Sequence, residues 1–264
     1  MEAMAFIDAH CHLQDPRLRQ GLDRVLQRAD EAGIQAMVVC ATSEADWEAV
    51  LGLVHQHPRL IPMLGLHPWH VREAAPGWEA RLERWLRESG AGVGECGLDF
   101  AVEGHDACAQ EAAFRTQLRI ARQLDLPLSV HCRKAWERLA AIVKDEGLPT
   151  AGALVHAFGG SAQTALELQA LGFHLSFSCA IANPAQRKAA KVLPVVRPDR
   201  LLFESDAPDL PPRHLPDWDP AAPNEPSCIP LVAEAAARLR RQSPESVREL
   251  AHDNARRLFG RWLP

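Results

Sequence analysis

Eight short apolar runs, each followed by a longer amphipathic stretch, limit what this chain can fold into more than any other feature. The runs lie at 5–12, 34–42, 60–68, 91–100, 127–133, 151–158, 173–179 and 201–208. The stretches at 17–32, 44–57, 77–89, 106–124, 134–146, 161–172 and 184–193 read as helices, and 229–241 and 244–259 follow the last run. Their apolar residues recur at helical spacing, as in Phe114, Leu118, Ala121 and Leu124. Strand then helix, eight times over in 264 residues, is the plan of a (β/α)8 barrel, and we expect one barrel domain over residues 1–264. A doubly wound open sheet is the competing arrangement. It loses support because the runs are apolar on both faces and no G-x-G-x-x-G turn follows the first. The proline-rich stretch 207–227 is too long for an ordinary connection and is expected to be a functional loop.

In such a barrel, chemistry sits at the C-terminal ends of the strands. Here the first run ends in Asp8-Ala9-His10-Cys11-His12, the third in His67, the fourth in Glu95 to Asp99 and the fifth in His131 and Arg133. The sixth ends in His156 and the eighth in Glu204-Ser205-Asp206. Five of the 12 histidines fall in these windows, where a random scatter would put about one. His10 and His12, two apart on an extended strand, face the same way and can share a cation. Two further histidines and two carboxylates complete a nitrogen and oxygen donor set suited to Zn²⁺, Mn²⁺ or Mg²⁺. Six ligands are more than one catalytic ion takes while keeping a place for water, so two divalent ions are expected, with Glu95 as the natural bridge. His55, His57, His70, His105, His214 and His252 are expected on solvated helices or loops, and His174 near the start of the seventh strand.

Seven cysteines, an odd number with no C-x-x-C pair, argue against both a disulfide framework and a thiolate zinc site. Cys11, Cys96 and Cys132 neighbour the proposed ligands, but strand alternation turns them away. With no apolar run of about 18 residues and no basic-then-apolar start, a membrane span and a secretory signal are not expected, and the chain reads as cytoplasmic. The net charge of −5 disfavours broad gripping of a polyanion and leaves a local site as the means of holding one.

These motifs resemble those of the TatD family of metal-dependent deoxyribonucleases, within the amidohydrolase-like barrel hydrolases. The likeness runs through FIDAHCHL at 6–13, GLHPW at 65–69, GECGLDF at 94–100, Gln110 with Phe114 and Gln117, and PLSVHCRKA at 127–135. It continues through VHAFGG at 155–160, FSCAI at 177–181, LLFESDAP at 201–208 and NARRLF at 254–259. The resemblance implies the barrel and two divalent metals, with His10, His12, Glu95 and Asp206 around one and Glu95, His131 and His156 around the other. Many relatives read GLDY and ETDAP where this tyrosine-free chain has Phe100 and Ser205, which leaves the substrate more open than the metals.

The expected activity is phosphodiester hydrolysis, as a 3′-5′ exonuclease on DNA, with Glu95 and Asp206 as catalytic residues and Asp206 as general base. Glu204 is expected to fix a ligand imidazole, and Asp99 to shape the following loop or order a neighbour. Arg133 and His67 are placed to hold a phosphate, against a salt bridge for Arg133 and a buried hydrogen bond for His67. Trp69 and Trp218 offer stacking surfaces near the mouth, although packing is the commoner fate of such residues. DNA or another phosphodiester is the expected partner, and a monomer the simplest state. Two alternatives remain: an esterase or amidase such as an aminoacyl-tRNA deacylase, since an activated water attacks a carbonyl equally well, and a noncatalytic metal-binding scaffold.

Overall fold

In the computed structural model, which describes residues 5–215 and 218–263, eight strands form one parallel sheet in sequence order. They are β1 (Phe6–Cys11), β2 (Ile34–Cys40), β3 (Leu60–Leu64), β4 (Gly92–Asp99), β5 (Leu128–Arg133), β6 (Ala153–Val155), β7 (His174–Phe177) and β8 (Leu201–Phe203). The helices are α1 (Pro16–Arg19), α2 (Leu22–Glu31), α3 (Glu44–Gln56), α4 (Trp78–Ser89), α5 (Ala107–Leu124), α6 (Trp136–Glu146), α7 (Ala162–Ala170), α8 (Ala189–Val192), α9 (Ile229–Arg240) and α10 (Pro244–Phe259). Each strand except β8 pairs with the next in parallel, so the expected (β/α)8 barrel is the fold.

The ring closes just past the end of β8. Asp206 N–H donates to the His10 carbonyl at 3.0 Å, and His12 N–H donates to the Ala207 carbonyl at 2.7 Å. Buried Asp8 stitches the same seam, accepting from Ser205 N–H at 2.9 Å and from the Ser205 hydroxyl at 2.6 Å. The bonds that shut the barrel are thus made by the residues that bracket the proposed chemistry.

Apolar packing occupies two layers. The larger cluster lies between strands and helices and includes Cys11, Cys96 and Cys132, which accordingly face away from the mouth. A smaller one joins Ile7, Val38, Ile61, Met63, Leu154 and Leu202, residues on different sides of the ring, and so fills the interior. Leu258 and Phe259 of α10 join that cluster. The polar strand ends therefore sit on a dry floor.

Two buried glutamines of α5 lock the ends of β3 and β4. Gln117 accepts from Leu66 N–H at 2.8 Å and donates to the Leu66 carbonyl at 3.0 Å. Gln110 accepts from Asp99 N–H at 2.8 Å and donates to the Asp99 carbonyl at 3.2 Å. Each amide imitates a strand edge where the ladder has run out, which fixes the positions of His67 and Asp99. Between β4 and β5 only glycine fits at position 97: its φ is +134°, and a Cβ there would lie 2.0 Å from the His131 carbonyl oxygen.

Two expected helices come out differently. The stretch 17–32 breaks into α1, capped by Asp15 accepting from Arg17 N–H, and α2, with Gly21 between them. The stretch 184–193 keeps only the four residues of α8, because the Asn183 side chain takes Ala185 N–H at 2.9 Å and offers the backbone a turn instead. In the loop 207–227, Asn224 donates to the Ser205 carbonyl at 2.6 Å and so ties the far side of the loop to the barrel. Positions 216 and 217 lie outside the described residues.

Replacing Gln117 by Met keeps the volume but leaves the Leu66 N–H and carbonyl buried without partners. Urea unfolding is expected to show a loss of about 2–4 kcal/mol, from two such groups. An unchanged midpoint would mean that the glutamine is not what holds β3.

Candidate metal centre

The six proposed ligands and His67 converge at the mouth, all of them buried, and all but His10 line a cavity of about 910 Å³. Glu95 stands at the centre and its two oxygens face different partners. Oε2 is 3.5 Å from His10 Nε2 and 3.3 Å from His12 Nε2. Oε1 is 2.9 Å from His156 Nε2, 3.0 Å from His131 Nδ1 and 3.2 Å from His67 Nε2. Asp206 Oδ1 lies 3.6 Å from His12 Nε2, 3.8 Å from His156 Nδ1 and 3.9 Å from His10 Nε2. β1 is not the regular strand that the H-x-H spacing assumes. A register shift between Asp8 and Cys11 interrupts it, and still the two Nε2 atoms meet at 3.2 Å.

The outer ring atoms decide which way the lone pairs point. His12 Nδ1–H donates to the Cys40 carbonyl at 2.8 Å, so in the neutral ring Nε2 carries a lone pair toward Glu95. His131 Nε2–H donates to Asp99 Oδ2 at 3.1 Å, leaving the lone pair on Nδ1, again toward Glu95. His10 Nδ1 is engaged by Ser129 Oγ at 2.9 Å. His156 Nδ1 is buried without a hydrogen bond, with Glu204 Oε1 3.7 Å away, and the same oxygen accepts from Ala157 N–H at 2.6 Å. His67 is the opposite case. Its Nδ1 accepts from Trp69 N–H at 3.1 Å, so the neutral ring carries its proton on Nε2 and offers a donor where His12 and His131 offer lone pairs.

Nitrogen facing nitrogen at 3.2 Å, and at 3.0 Å between His131 Nδ1 and His156 Nε2, is a poor arrangement for protons, since one hydrogen serves only one such pair. It fits divalent cations, and the donors are nitrogen and carboxylate oxygen without thiolate. His67 lies close enough to Glu95 and His131 to be grouped with them, but its tautomer lacks the lone pair a ligand needs.

Electrostatics follow from this crowding. Burial pushes the Glu95 carboxyl up, but the surrounding imidazoles outweigh it and hold the group well below the usual carboxylate range. Burial opposes charge on His12, yet the hydrogen bond to Asp206 and the Glu95 and Asp206 charges raise it to about 9. Around His10 and His67 the Glu95 carboxylate does not offset burial, which lowers both to about 4. Asp99 is held below its ordinary value despite burial by bonds from His131, Ala101 N–H and Trp69.

Arg133 lies at the rim, more than half exposed, with Nη1 3.5 Å from Asp99 Oδ2, so it lines the cavity and makes the loose ion pair as well. Asp99 bonds the neighbouring His131 imidazole at 3.1 Å, whereas Glu204 stands 3.7 Å from His156 Nδ1 without a hydrogen bond to it. Asp8, Ser129 and Gln14 received no role from sequence reasoning. Gln14 donates to the same Cys40 carbonyl as His12, at 2.8 Å. Ser129 precedes His131 by two on β5, so strand alternation was the available signal for it. His174 is buried at the other end of its strand, Nδ1 3.3 Å from the Ala153 carbonyl. His252 is not simply solvated: it bonds the Ala5 carbonyl at 2.8 Å. The backbone takes positive φ at Lys134, Ala157 and Asp206, each at or next to one of these residues, which is how the strand ends turn their side chains inward.

The chain matches the family described as TatD related DNase over residues 7–260. It is 32% identical to the 3′-5′ ssDNA/RNA exonuclease TatD of Rahnella over 243 residues, covering 89% of this chain and 91% of that protein. It is 30% identical to the uncharacterized metal-dependent hydrolase YabD of Bacillus subtilis, over 96% of this chain and 98% of the relative. The crystal structure of YjjV, a TatD homolog from Escherichia coli, superposes with a TM-score of 0.90 at 31% identity, covering 97% and 98% of the two chains.

Two outcomes are expected from this geometry. Asp99→Asn removes the acceptor that sets the His131 tautomer and should weaken divalent-cation binding about 10–100-fold in competition with a chelating dye. Unchanged affinity would detach Asp99 from the centre. In chelated protein, His12 stabilises the fold fully below pH 6.5 and loses that contribution as pH rises through about 9. His10 and His67, with folded values of about 4, weaken the fold as pH falls from 6.5 toward 4. The urea midpoint of chelated protein should therefore fall as pH rises from 6.5 through about 9, and a midpoint that holds over that range would contradict the His12 shift.

Proposed function

The chain belongs to the TatD family of metal-dependent hydrolases, and on that premise we propose that it is a nuclease that removes nucleotides from the 3′ end of single-stranded nucleic acid with two divalent cations. The observation that carries the reading is the division of Glu95: Oε2 toward His10 and His12, and Oε1 toward His131 and His156. Two sites sharing one carboxylate suit phosphoryl transfer, where charge develops on both the attacking and the leaving oxygen.

Cations held there would polarise a phosphoryl oxygen and lower the pKa of an attacking water. Asp206, at the edge of the cluster with its carboxylate in the cavity, accepts the proton that water loses. Arg133, with exposed donors at the rim, binds the phosphate. His67 donates its Nε2–H to a phosphate oxygen or, without substrate, to Glu95. Asp99 keeps His131 turned inward.

The single-strand preference rests on the relatives named as ssDNA/RNA exonucleases. No helix among the described residues is long and apolar enough to cross a membrane. The seven free cysteines, six of them buried, fit the reducing cytoplasm proposed as its setting.

Rigorous chelation should abolish release of nucleotides from a 3′-labelled oligonucleotide, and Mg²⁺, Mn²⁺ or Zn²⁺ should restore it. Glu95→Ala and Asp206→Ala should each lower kcat at least about 10³-fold while the protein stays folded by circular dichroism. Turnover that survives chelation, or a fully active Glu95→Ala, would overturn the proposal. Charged tRNA and simple esters assayed beside the oligonucleotide separate it from carbonyl hydrolysis: faster cleavage of either would reassign the substrate.

A further inference from the structure

Of the seven tryptophans, six are buried or half-buried and Trp69 is exposed, at 54%. Among the described residues four large apolar side chains stand in solvent: Trp69, Val102, Leu166 and Leu210. Trp69 and Leu210 line the cavity of the metal centre, and Val102 follows Ala101, which lines it too. Exposed apolar surface is therefore gathered at this mouth, where it has no folding role.

Trp69 is also held still. Its Nε1–H donates to Asp99 Oδ2 at 2.9 Å, and its backbone N–H donates to His67 Nδ1 at 3.1 Å. The His67 ring meets the indole edge-on, centroids 4.8 Å apart and planes at 82°. An indole anchored on one edge by a buried carboxylate cannot swing away, and more than half its surface faces solvent. The carboxylate oxygen that anchors it is also the one 3.5 Å from Arg133 Nη1, so a flat aromatic surface and a phosphate-binding guanidinium flank a single oxygen atom. Lys134 and Lys188 line the same cavity with exposed side chains.

We propose that Trp69 is a nucleobase-stacking subsite: it receives the base of a nucleotide at the 3′ end of an unpaired strand while Arg133 holds the phosphate beside it. This deepens the nuclease reading and rests on it. Every base has a flat face, so such a platform tolerates any sequence, and a base already paired and stacked in a duplex is not free to use it. The anchoring through Asp99 means that the platform is set before substrate arrives, so little ordering accompanies binding.

The test uses single-stranded oligonucleotides, intact or with one abasic residue at the terminal or the penultimate position, with wild-type protein, Trp69→Phe and Trp69→Ala. Trp69→Ala should lower kcat/KM on the intact strand about tenfold, mainly through KM, and Trp69→Phe should keep most of the activity because it retains a ring. For wild-type protein, an abasic residue at one of the two positions should lower kcat/KM by a similar factor. For Trp69→Ala the same lesion should make no difference. Bound metal, measured by plasma mass spectrometry, should be equal in all three proteins. Three results would overturn the subsite: an abasic penalty that persists in Trp69→Ala, a Phe variant as poor as Ala, or loss of metal from the variants. The last two would make Trp69 a positioning residue acting through Asp99 and His131. If wild-type protein cleaves no strand at all, the nuclease reading falls and the subsite with it, whereas a cleaving enzyme with unchanged abasic penalties sinks the subsite alone.

Discussion

One buried carboxylate organises the mouth of this barrel. Glu95 is surrounded by the nitrogens of five imidazoles from four strand ends, three on one oxygen and two on the other. A buried carboxylate is tolerable only with compensating partners, and crowded imidazoles are tolerable only if each has a use for the nitrogen facing inward. His12 and His131 are turned by their outer acceptors so that a lone pair points to the centre, and His67 points a proton there. That difference of polarity, set by backbone groups and second carboxylates, separates residues suited to hold cations from one suited to donate to an oxygen.

The scaffold is arranged around that demand. Asp8 and Ser205 shut the ring directly beneath His10 and Asp206, Gln110 and Gln117 fix the ends of β4 and β3, and Gly97 lets β4 approach β5 closely enough for Glu95 to reach His131. Below, the interior is apolar. Water and protein dipoles cannot move in from that side, so the field at the mouth is set by side chains with fixed directions. Positive φ recurs along the same rim, at Lys134, Ala157 and Asp206, where strands turn their last side chains inward.

Much of this was legible in the sequence, for physical reasons. Strand and helix periodicities differ, so the eightfold alternation survives in the order of residues, and polar groups at the ends of apolar runs stand out. His10, His12, Glu95, His131, His156 and Asp206 could be picked out that way. What could not be read depends on direction rather than position. The H-x-H motif assumes a regular strand, yet β1 carries a register shift. The tautomer of His67 is decided by Trp69 N–H, a backbone group in a short turn, and the orientation of His131 by Asp99, 32 residues away. Asp8 and Ser129 were visible as residues two places before a histidine, but nothing in their identity marks a seam or an imidazole partner. The exposed, anchored indole of Trp69 likewise needed coordinates, because composition alone favours a packed tryptophan.

The net charge of −5 finds its place in the same picture. A surface that does not attract polyanions can still hold one phosphate where cations and Arg133 are gathered, which suits an enzyme that takes a strand end rather than a duplex face. The bridging role of Glu95 is measured most directly by anomalous diffraction from crystals grown with Mn²⁺ or Zn²⁺. Two peaks are predicted, one on each oxygen of Glu95, the first also bound by His10, His12 and Asp206 and the second by His131 and His156, with His67 outside coordination distance. A single peak, or an ion coordinated by His67 Nε2, would contradict it.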